Sequence, residues 1–294
     1  MPPKPELLAE IYRLASATQA LAGIGAALRL RQTGGHPDDE VRTRLDAYFR
    51  TLLPAGADRL TDEDVAALDF VDLFFEEAAE LLHHPGRPPR EGVTDPVLLQ
   101  AQGRLSRQTF TAIAALAGTR PSLTEALQGR ILDVGTGAGG LILEAVDRCP
   151  SIDAVGIDVW RPALELARAN AAASPHAQRL RVRELDVRDL DEVAAYTLAW
   201  LPTVYLSRAT TETAIERIGT ALAPGGYVVL GYHVPPSDPS ARAFSELRLA
   251  RSGGQGWDPA ELEHALASRG FTDVETSTPI PGVNFVVARR AGRS

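Results

Sequence analysis

The sequence predicts an α/β fold: a mostly parallel seven-stranded sheet with an antiparallel last strand, preceded by an all-helical N-terminal domain. Three observations predict it. From residue 130 onward, short apolar runs alternate with segments of helical period, the pattern of a mostly parallel sheet. The final two runs are separated only by Pro279-Ile280-Pro281-Gly282, a link suited to an antiparallel hairpin. Before residue 129 the apolar residues recur at helical spacing.

The N-terminal elements follow in order. Pro5 can open the first helix, where its missing N–H costs nothing, and Leu7, Leu8, Ile11, Leu14, Leu21, Ile24 and Leu28 continue its stripe. Gly34-Gly35-His36-Pro37 breaks the chain. A second helix carries Val41, Leu45, Tyr48, Phe49 and Leu52 and ends at Pro54-Ala55-Gly56. Thr61-Asp62-Glu63-Asp64 has the form of an N-cap with acids in the first turn, which the helix dipole favours. The third helix holds Val65, Leu68, Phe70, Leu73, Phe74, Leu81 and Leu82. After a proline-rich connector over 84–92, Asp95-Pro96 opens a fourth helix that runs to about Gly118, and a short fifth helix is expected over 121–128. The domain boundary is expected at 128/129, with residues 1–128 forming a helical cap that covers a pocket and offers a surface for homodimerisation, and residues 129–294 forming the ligand-binding domain.

Composition excludes several classes. The 294 residues, 45% hydrophobic and 23% charged, are ordinary for a soluble globular protein. A net charge of -8 argues against nucleic acid as the main partner, because phosphate contacts need a basic surface. Lys4 is the only lysine, a bias we attribute to a GC-rich genome. Cys149 is the only cysteine, so no intramolecular disulfide can form. There is no apolar run of about 18 residues to span a membrane and no apolar signal core at the N-terminus, so a cytoplasmic location is expected. No set of metal ligands is read.

In the second half, strands are expected at 130–134, 153–157, 179–184, 196–200, 226–231, 271–277 and 283–289, and helices at 139–148, 161–173, 209–222, 239–251 and 258–269. The stretch Ile131–Gly140, ILDVGTGAGG, organises this half. Ile131, Leu132 and Val134 end a buried strand; Gly135-Thr136-Gly137-Ala138-Gly139 make a tight turn; Leu141, Ile142, Leu143 and Ala145 line a helix. A strand, a glycine turn and a helix N-terminus make a nucleotide-binding corner. Gly135, Gly137 and Gly140 also satisfy the dinucleotide pattern G-x-G-x-x-G. Asp133 argues against a pyrophosphate, which it would repel, and for a cation or an α-amino group, which it would attract.

Asp133-Val134-Gly135-Thr136-Gly137-Ala138-Gly139 resembles the first motif, E/D-x-G-x-G-x-G, of the class I S-adenosylmethionine (SAM)-dependent methyltransferases. The resemblance covers residues 130–290 and implies a Rossmann-like methyltransferase sheet whose seventh strand is antiparallel, with SAM as cofactor. Leu222-Ala223-Pro224-Gly225-Gly226 is similar to the family's second signature, L-x-P-G-G, at the turn into strand five.

The site residues follow from these positions. Asp133, Gly135, Thr136, Gly137 and Gly139 form the cofactor turn. Asp158 ends the second strand 23 residues after Gly135, near the spacing at which an acid grips a ribose; the competing reading is a helix cap before Arg161-Pro162. Val159 and Trp160 follow and would flank the adenine. The resemblance gives Asp186-Val187 the adenine amino group, with Asp189 as competitor. Trp200 ends the fourth strand, where an aromatic face attracts a sulfonium or where it simply fills the core. The family often has an acidic or polar residue in the loop that follows; here stands Leu201-Pro202, so no base comes from it. His233, just past the fifth strand, has the pKa range to deprotonate a hydroxyl; the alternative is a purely local hydrogen bond. The other histidines are taken as surface, and Arg242, Arg248 and Arg251 as a solvated helical face or an anion-binding one. The reading is methyl transfer to a small-molecule acceptor, most simply an oxygen nucleophile. N- or C-methylation, a SAM-binding catalyst of cyclisation or rearrangement, and a non-enzymatic SAM-responsive module are the alternatives.

Overall fold

A computed structural model of the chain describes residues 4–35, 38–53, 64–89, 91–280 and 283–292. The expected breaks at His36-Pro37 and Pro54–Gly56, the cap residues Thr61–Glu63 and the Pro281-Gly282 link lie outside them. The chain divides into two compact units, one ending at His83 and the other beginning at His84.

The first unit contains helices α1 (Pro5–Thr33), α2 (Asp39–Leu52) and α3 (Ala67–His83). Asp38 caps α2 by accepting from the backbone N–H groups of Glu40 and Val41. Helix α1 buries only Gly23, Gly25 and Leu28; Gly23 lies under the Tyr48 ring of α2 and Gly25 under Val71 of α3. A Cβ at either position would press on that neighbouring side chain.

The second unit is a three-layer α/β/α sandwich. It begins with α4 (Pro96–Ala117), capped by Asp95, and α5 (Pro121–Ala126). Then come β1 (Arg130–Val134), α6 (Gly140–Arg148), β2 (Asp153–Asp158), α7 (Arg161–Ala173), β3 (Leu180–Glu184), β4 (Tyr196–Pro202), α8 (Arg208–Ala221), β5 (Leu222–Tyr232), α9 (Pro239–Ser252), α10 (Pro259–Ala267), β6 (Phe271–Ile280) and β7 (Val283–Arg290). The sheet order is β3-β2-β1-β4-β5-β7-β6. β1 through β5 are parallel, and β7 lies antiparallel between β5 and β6. The seven-stranded sheet and its antiparallel last strand are as the sequence predicts.

Alternation along the strands divides the core. Leu132, Val134, Ala199, Leu201, Val228 and Leu230 pack on one face with Ile215 and Ile218 of α8 and Leu262 and Leu266 of α10. Ile131, Leu198, Val229 and Phe285 pack on the other with Phe110 and Ile113 of α4, Leu123 of α5 and Leu141 and Ile142 of α6. Both faces are covered, which is why the central strands are nearly continuous apolar runs.

This packing moves the division of the chain from 128/129 to 83/84. Helices α4 and α5 bury their apolar faces against the sheet and α6, so they belong to the α/β unit and not to a helical cap. Helical period in the sequence identified them as helices but carries no information about which layer they join. The fifth strand also begins earlier than expected, at Leu222, and passes through Gly225 at a left-handed φ of 81°.

Candidate active site

Chain order reverses about β1, which has β2 on one side and β4 on the other. Such a reversal opens a crevice beyond the strands' carboxyl ends, and the glycine turn sits there. The N–H groups of Gly135 and Thr136 both donate to the Ile157 carbonyl, at 2.8 and 3.0 Å, lashing the turn to β2. Gly135, Gly137 and Gly139 have φ of 69°, 56° and 84°, a region only glycine enters at no cost. The turn has an open and a closed side. A Cβ at Gly137 would meet nothing within 4 Å, and one at Gly135 would meet only Pro202, at 3.5 Å; one at Gly140 would overlap the Gly103 carbonyl of α4. The open side is room for a ligand against bare backbone.

Three acids stand at the carboxyl ends of β1, β2 and β3. Asp133 is 2% exposed and accepts from the Thr136 hydroxyl at 2.7 Å. Burial, with the Asp158 charge adding to it, pushes its pKa up to about 7 against the pull of the Thr136 hydrogen bond. The Thr136 side chain fills the space beside Gly156 on β2, where any Cβ would collide with it, so it faces Asp133 and not the crevice. Asp158 accepts from the N–H of Gly137 at 2.9 Å with one oxygen, and from those of Val159 and Trp160 at 2.7 and 2.9 Å with the other. The N-cap of α7 is Trp160, so Asp158 is not that helix's cap; it joins the tip of β2 to the turn. Asp186 accepts from the backbone and guanidinium of Arg188, which holds its carboxyl below the usual range. The Val187 side chain is buried in the core, leaving only its backbone for a ligand. Val159 is exposed.

Trp160 is already engaged. Its indole N–H donates to the Val93 carbonyl at 2.6 Å, and Gly92 lies beneath the ring. The connector before α4 therefore occupies one side of this indole. Trp200 pairs with Asp133 across β1 and β4. Its ring meets Phe285 edge-on, centroids 5.4 Å apart, and lies over Gly231, where no side chain fits. It remains only partly buried. His233 follows β5, with its Nε2 2.6 Å from the Ser245 hydroxyl of α9. Burial, then the charge of Arg248, lowers its pKa, so the ring is neutral near pH 7. The loop after β4 supplies no base: Thr203 is buried and donates to the Gly231 carbonyl at 2.8 Å.

The arginine face of α9 is not uniformly solvated. Arg251 is buried and donates to the carbonyls of His84 and Pro85, tying the start of the connector to α9. Sequence gave no signal for this contact, nor for the fit of Gly231 under Trp200; a tryptophan two residues from the end of β4 and a glycine at the end of β5 acquire a relation only through strand register. Among the described residues, no group of three or more His, Cys, Asp or Glu is placed to hold a metal ion. Among the same residues, no helix is long and apolar enough to cross a membrane.

Residues 131–226 match the family model of a methyltransferase domain. Over that stretch the chain is similar to methyltransferase domains. SAM is the cofactor of this domain class, and the open glycine turn with acids at the tips of β1, β2 and β3 suits it. A demethylmenaquinone methyltransferase of Thermus thermophilus is 34% identical over 116 residues, which make up 36% of this chain and 49% of that protein. The matched stretch thus spans about half of that relative. Among solved structures, human N-acetylserotonin methyltransferase in complex with SAM is similar with a TM-score of 0.64 at 14% identity, covering 97% of each chain. An O-methyltransferase family protein from Burkholderia thailandensis is similar with a TM-score of 0.62 at 14% identity, covering 98% of this chain and 99% of that one. At these identities the likeness establishes the fold of the methyltransferase domain together with a helix-rich N-terminal region.

Proposed function

We propose that the chain transfers the methyl group of SAM to the oxygen of a small-molecule acceptor. One observation carries this reading. The glycine turn follows β1, Trp200 lies near the end of β4 and His233 follows β5, all at the carboxyl ends of neighbouring parallel strands, which supports reading them as one crevice with a cofactor subsite and a candidate base.

When bound, SAM supplies an electrophilic methyl on a sulfonium. The chain's own residues do the rest. Asp158 accepts from the ribose hydroxyls with the lone pairs its three backbone contacts leave. Asp133 places negative charge behind the turn for the α-amino group, and the Asp186-Val187 segment borders the adenine. The partly buried Trp200 face stabilises positive charge beside it. His233 takes the proton from the acceptor hydroxyl as it attacks, through the ring nitrogen that Ser245 leaves free. The bulk of the rate comes from holding the acceptor in line with the S–CH3 bond and excluding water. The likeness to an O-methyltransferase family protein supports oxygen as acceptor. The partial match to a demethylmenaquinone methyltransferase gives carbon transfer as the second reading.

The acidic net charge disfavours a nucleic-acid substrate, and the exposed apolar residues of α1 suit a homodimer. The decisive experiment offers the purified chain SAM with panels of small phenols, carboxylic acids, amines and hydroquinones, and measures S-adenosylhomocysteine and methylated product. O-methyl product supports the proposal. C- or N-methyl product replaces oxygen as the acceptor atom, and SAM binding without turnover on any panel overturns the enzymatic reading.

A further inference from the structure

The matched methyltransferase domain begins at residue 131, yet the closed side of its glycine turn is built partly by α4, which ends at Ala117. Gly103 of α4 stands where a Cβ would lie 2.9 Å from Cβ of Ala138, and its carbonyl occupies the space beside Gly140. Ser106 donates to that same Gly103 carbonyl at 2.8 Å. From the other flank, Ala167 of α7 abuts Gly139. The backbone of 138–140 is thereby held between two helices.

One polar network crosses this junction. The side-chain amide of Asn170, on α7, donates to the Ala138 carbonyl at 2.9 Å. A carbonyl only accepts, so this contact fixes which end of the Asn170 amide is nitrogen. Its second N–H donates to Oε1 of Gln100 on α4 at 3.1 Å, while its Oδ1 accepts from Nε2 of Gln100 at 3.2 Å. Each amide satisfies the other, and Gln100 determines the rotation of Asn170. Gln100 and Asn170 are partly buried and Ala138 is buried, so a mis-set donor leaves a carbonyl unpaired.

We propose that Asn170, oriented by Gln100, is a positioning residue for SAM: it holds the Ala138 carbonyl and so sets the open Gly135–Gly137 side of the turn that the cofactor occupies. This rests on the reading of the turn as the SAM subsite. It makes α4, outside the matched domain, part of the cofactor site.

The test is titration calorimetry of S-adenosylhomocysteine into the full chain, with thermal unfolding and amide hydrogen exchange of residues 135–140 on the same samples. Asn170→Ala is expected to raise Kd about tenfold, the scale of one lost hydrogen bond in a pre-set site, and to speed exchange in the turn. Gln100→Leu, which keeps the packing and loses the orientation, should raise Kd roughly threefold to fivefold. Gln100→Glu keeps an acceptor for the Asn170 N–H but sets an oxygen against Asn170 Oδ1 in place of the donor, so its Kd should lie between those of the wild type and Gln100→Leu. Because Gln100 acts through Asn170, the double variant Gln100→Leu, Asn170→Ala should be no weaker than Asn170→Ala alone. Wild-type affinity in Asn170→Ala, or effects that multiply in the double variant, would overturn the proposal. So would a fall in Tm with unchanged Kd, which is the mark of a merely structural contact. If Asn170→Ala does not fold, the two Gln100 variants decide alone, wild-type Kd in Gln100→Leu overturning the proposal. Failure of the wild-type chain to bind S-adenosylhomocysteine would instead sink the cofactor reading, which separates the two failures.

Discussion

The two units of the chain spend their apolar residues differently. In the α/β unit, β1 buries four of its five residues, and both faces of the sheet are covered by helices. In the helical unit, α1 spans 29 residues and buries three, while α2 buries only Phe49. Leu7, Leu8, Ile11, Tyr12 and Leu14 of α1 stay exposed. A sheet closed on both faces can hold backbone to the tolerance a cofactor turn needs. A unit whose described helices share so thin a core is suited to contact and accommodation. Precision in this protein therefore resides after His83, and unfilled binding capacity before it.

The same substitution in each unit gives the largest contrast. Gly140→Ala drives a methyl into the Gly103 carbonyl, and neither backbone can retreat without moving α4 or the cofactor turn. Gly23→Ala meets only the edge of the Tyr48 ring, a side chain that can rotate, and gains helix propensity of about 1 kcal/mol. Denaturant titration should show Gly140→Ala costing over about 4 kcal/mol and Gly23→Ala within about 1 kcal/mol of neutral. Equal costs would mean that the helical unit is packed as tightly as the sheet unit.

The next effect belongs to the cofactor edge alone. Asp158→Ala removes the acceptor that joins the tip of β2 to the Gly137 N–H and that the proposed function assigns to the ribose. It should weaken S-adenosylhomocysteine binding by roughly 1.5–3 kcal/mol, the scale of hydrogen bonds to a charged group, and should also lower the Tm, because the N–H groups of Gly137, Val159 and Trp160 lose their acceptor. Calorimetry giving the wild-type Kd in a folded variant removes Asp158 from the site.

Asp133 converts the same precision into a pH dependence. Its folded pKa, about 7, lies above the unfolded value. Stability from the protonated form is therefore fully present below the unfolded pKa near 4 and is lost as pH rises through 7. One pKa unit is about 1.4 kcal/mol, so ligand-free stability should fall by about 2 kcal/mol between pH 5 and 6.5 relative to Asp133→Asn, which titrates nowhere in that range. Parallel stability curves for the two proteins would show that Asp133 is already ionised in the folded state. Binding of a ligand with an α-ammonium should release a proton near pH 7, seen as a buffer-dependent binding enthalpy.

Why some of this was legible in the sequence and some not follows from distance along the chain. The turn at 135–139 writes itself in adjacent glycines, and the strand-helix alternation after residue 130 reports its layers by period. Asp133 before the turn and Asp158 at the next strand tip are local to those signals. Thr136 shows the limit: its position in the motif suggests ligand contact, while its hydroxyl is turned inward by a gap at Gly156, twenty residues on. The allegiance of α4, the seat of Trp200 over Gly231 and the buried Arg251 depend on packing between elements far apart in sequence. Helical period is the same for a helix that caps a pocket and one that backs a sheet. The division expected at 128/129 fails for that reason.

The smallest expected change in stability tests the other half of the contrast. If the exposed face of α1 receives a second copy of this chain, Ile11→Glu places a charge in an apolar contact without disturbing any buried residue of its own unit. Ile11 is 49% exposed, so unfolding of the isolated chain should shift by no more than about 0.5 kcal/mol. The oligomeric state should change far more, because a carboxylate desolvated against apolar side chains costs several kcal/mol. Light scattering on the wild-type chain should then give the mass of a dimer, and on Ile11→Glu the mass of one chain. Arg13→Ala, which breaks only the exposed pair with Glu10, serves as the control and should remain dimeric. A wild-type chain that is monomeric at all concentrations would leave the α1 face without this partner, and the apolar surplus of the first unit would then belong to some other contact.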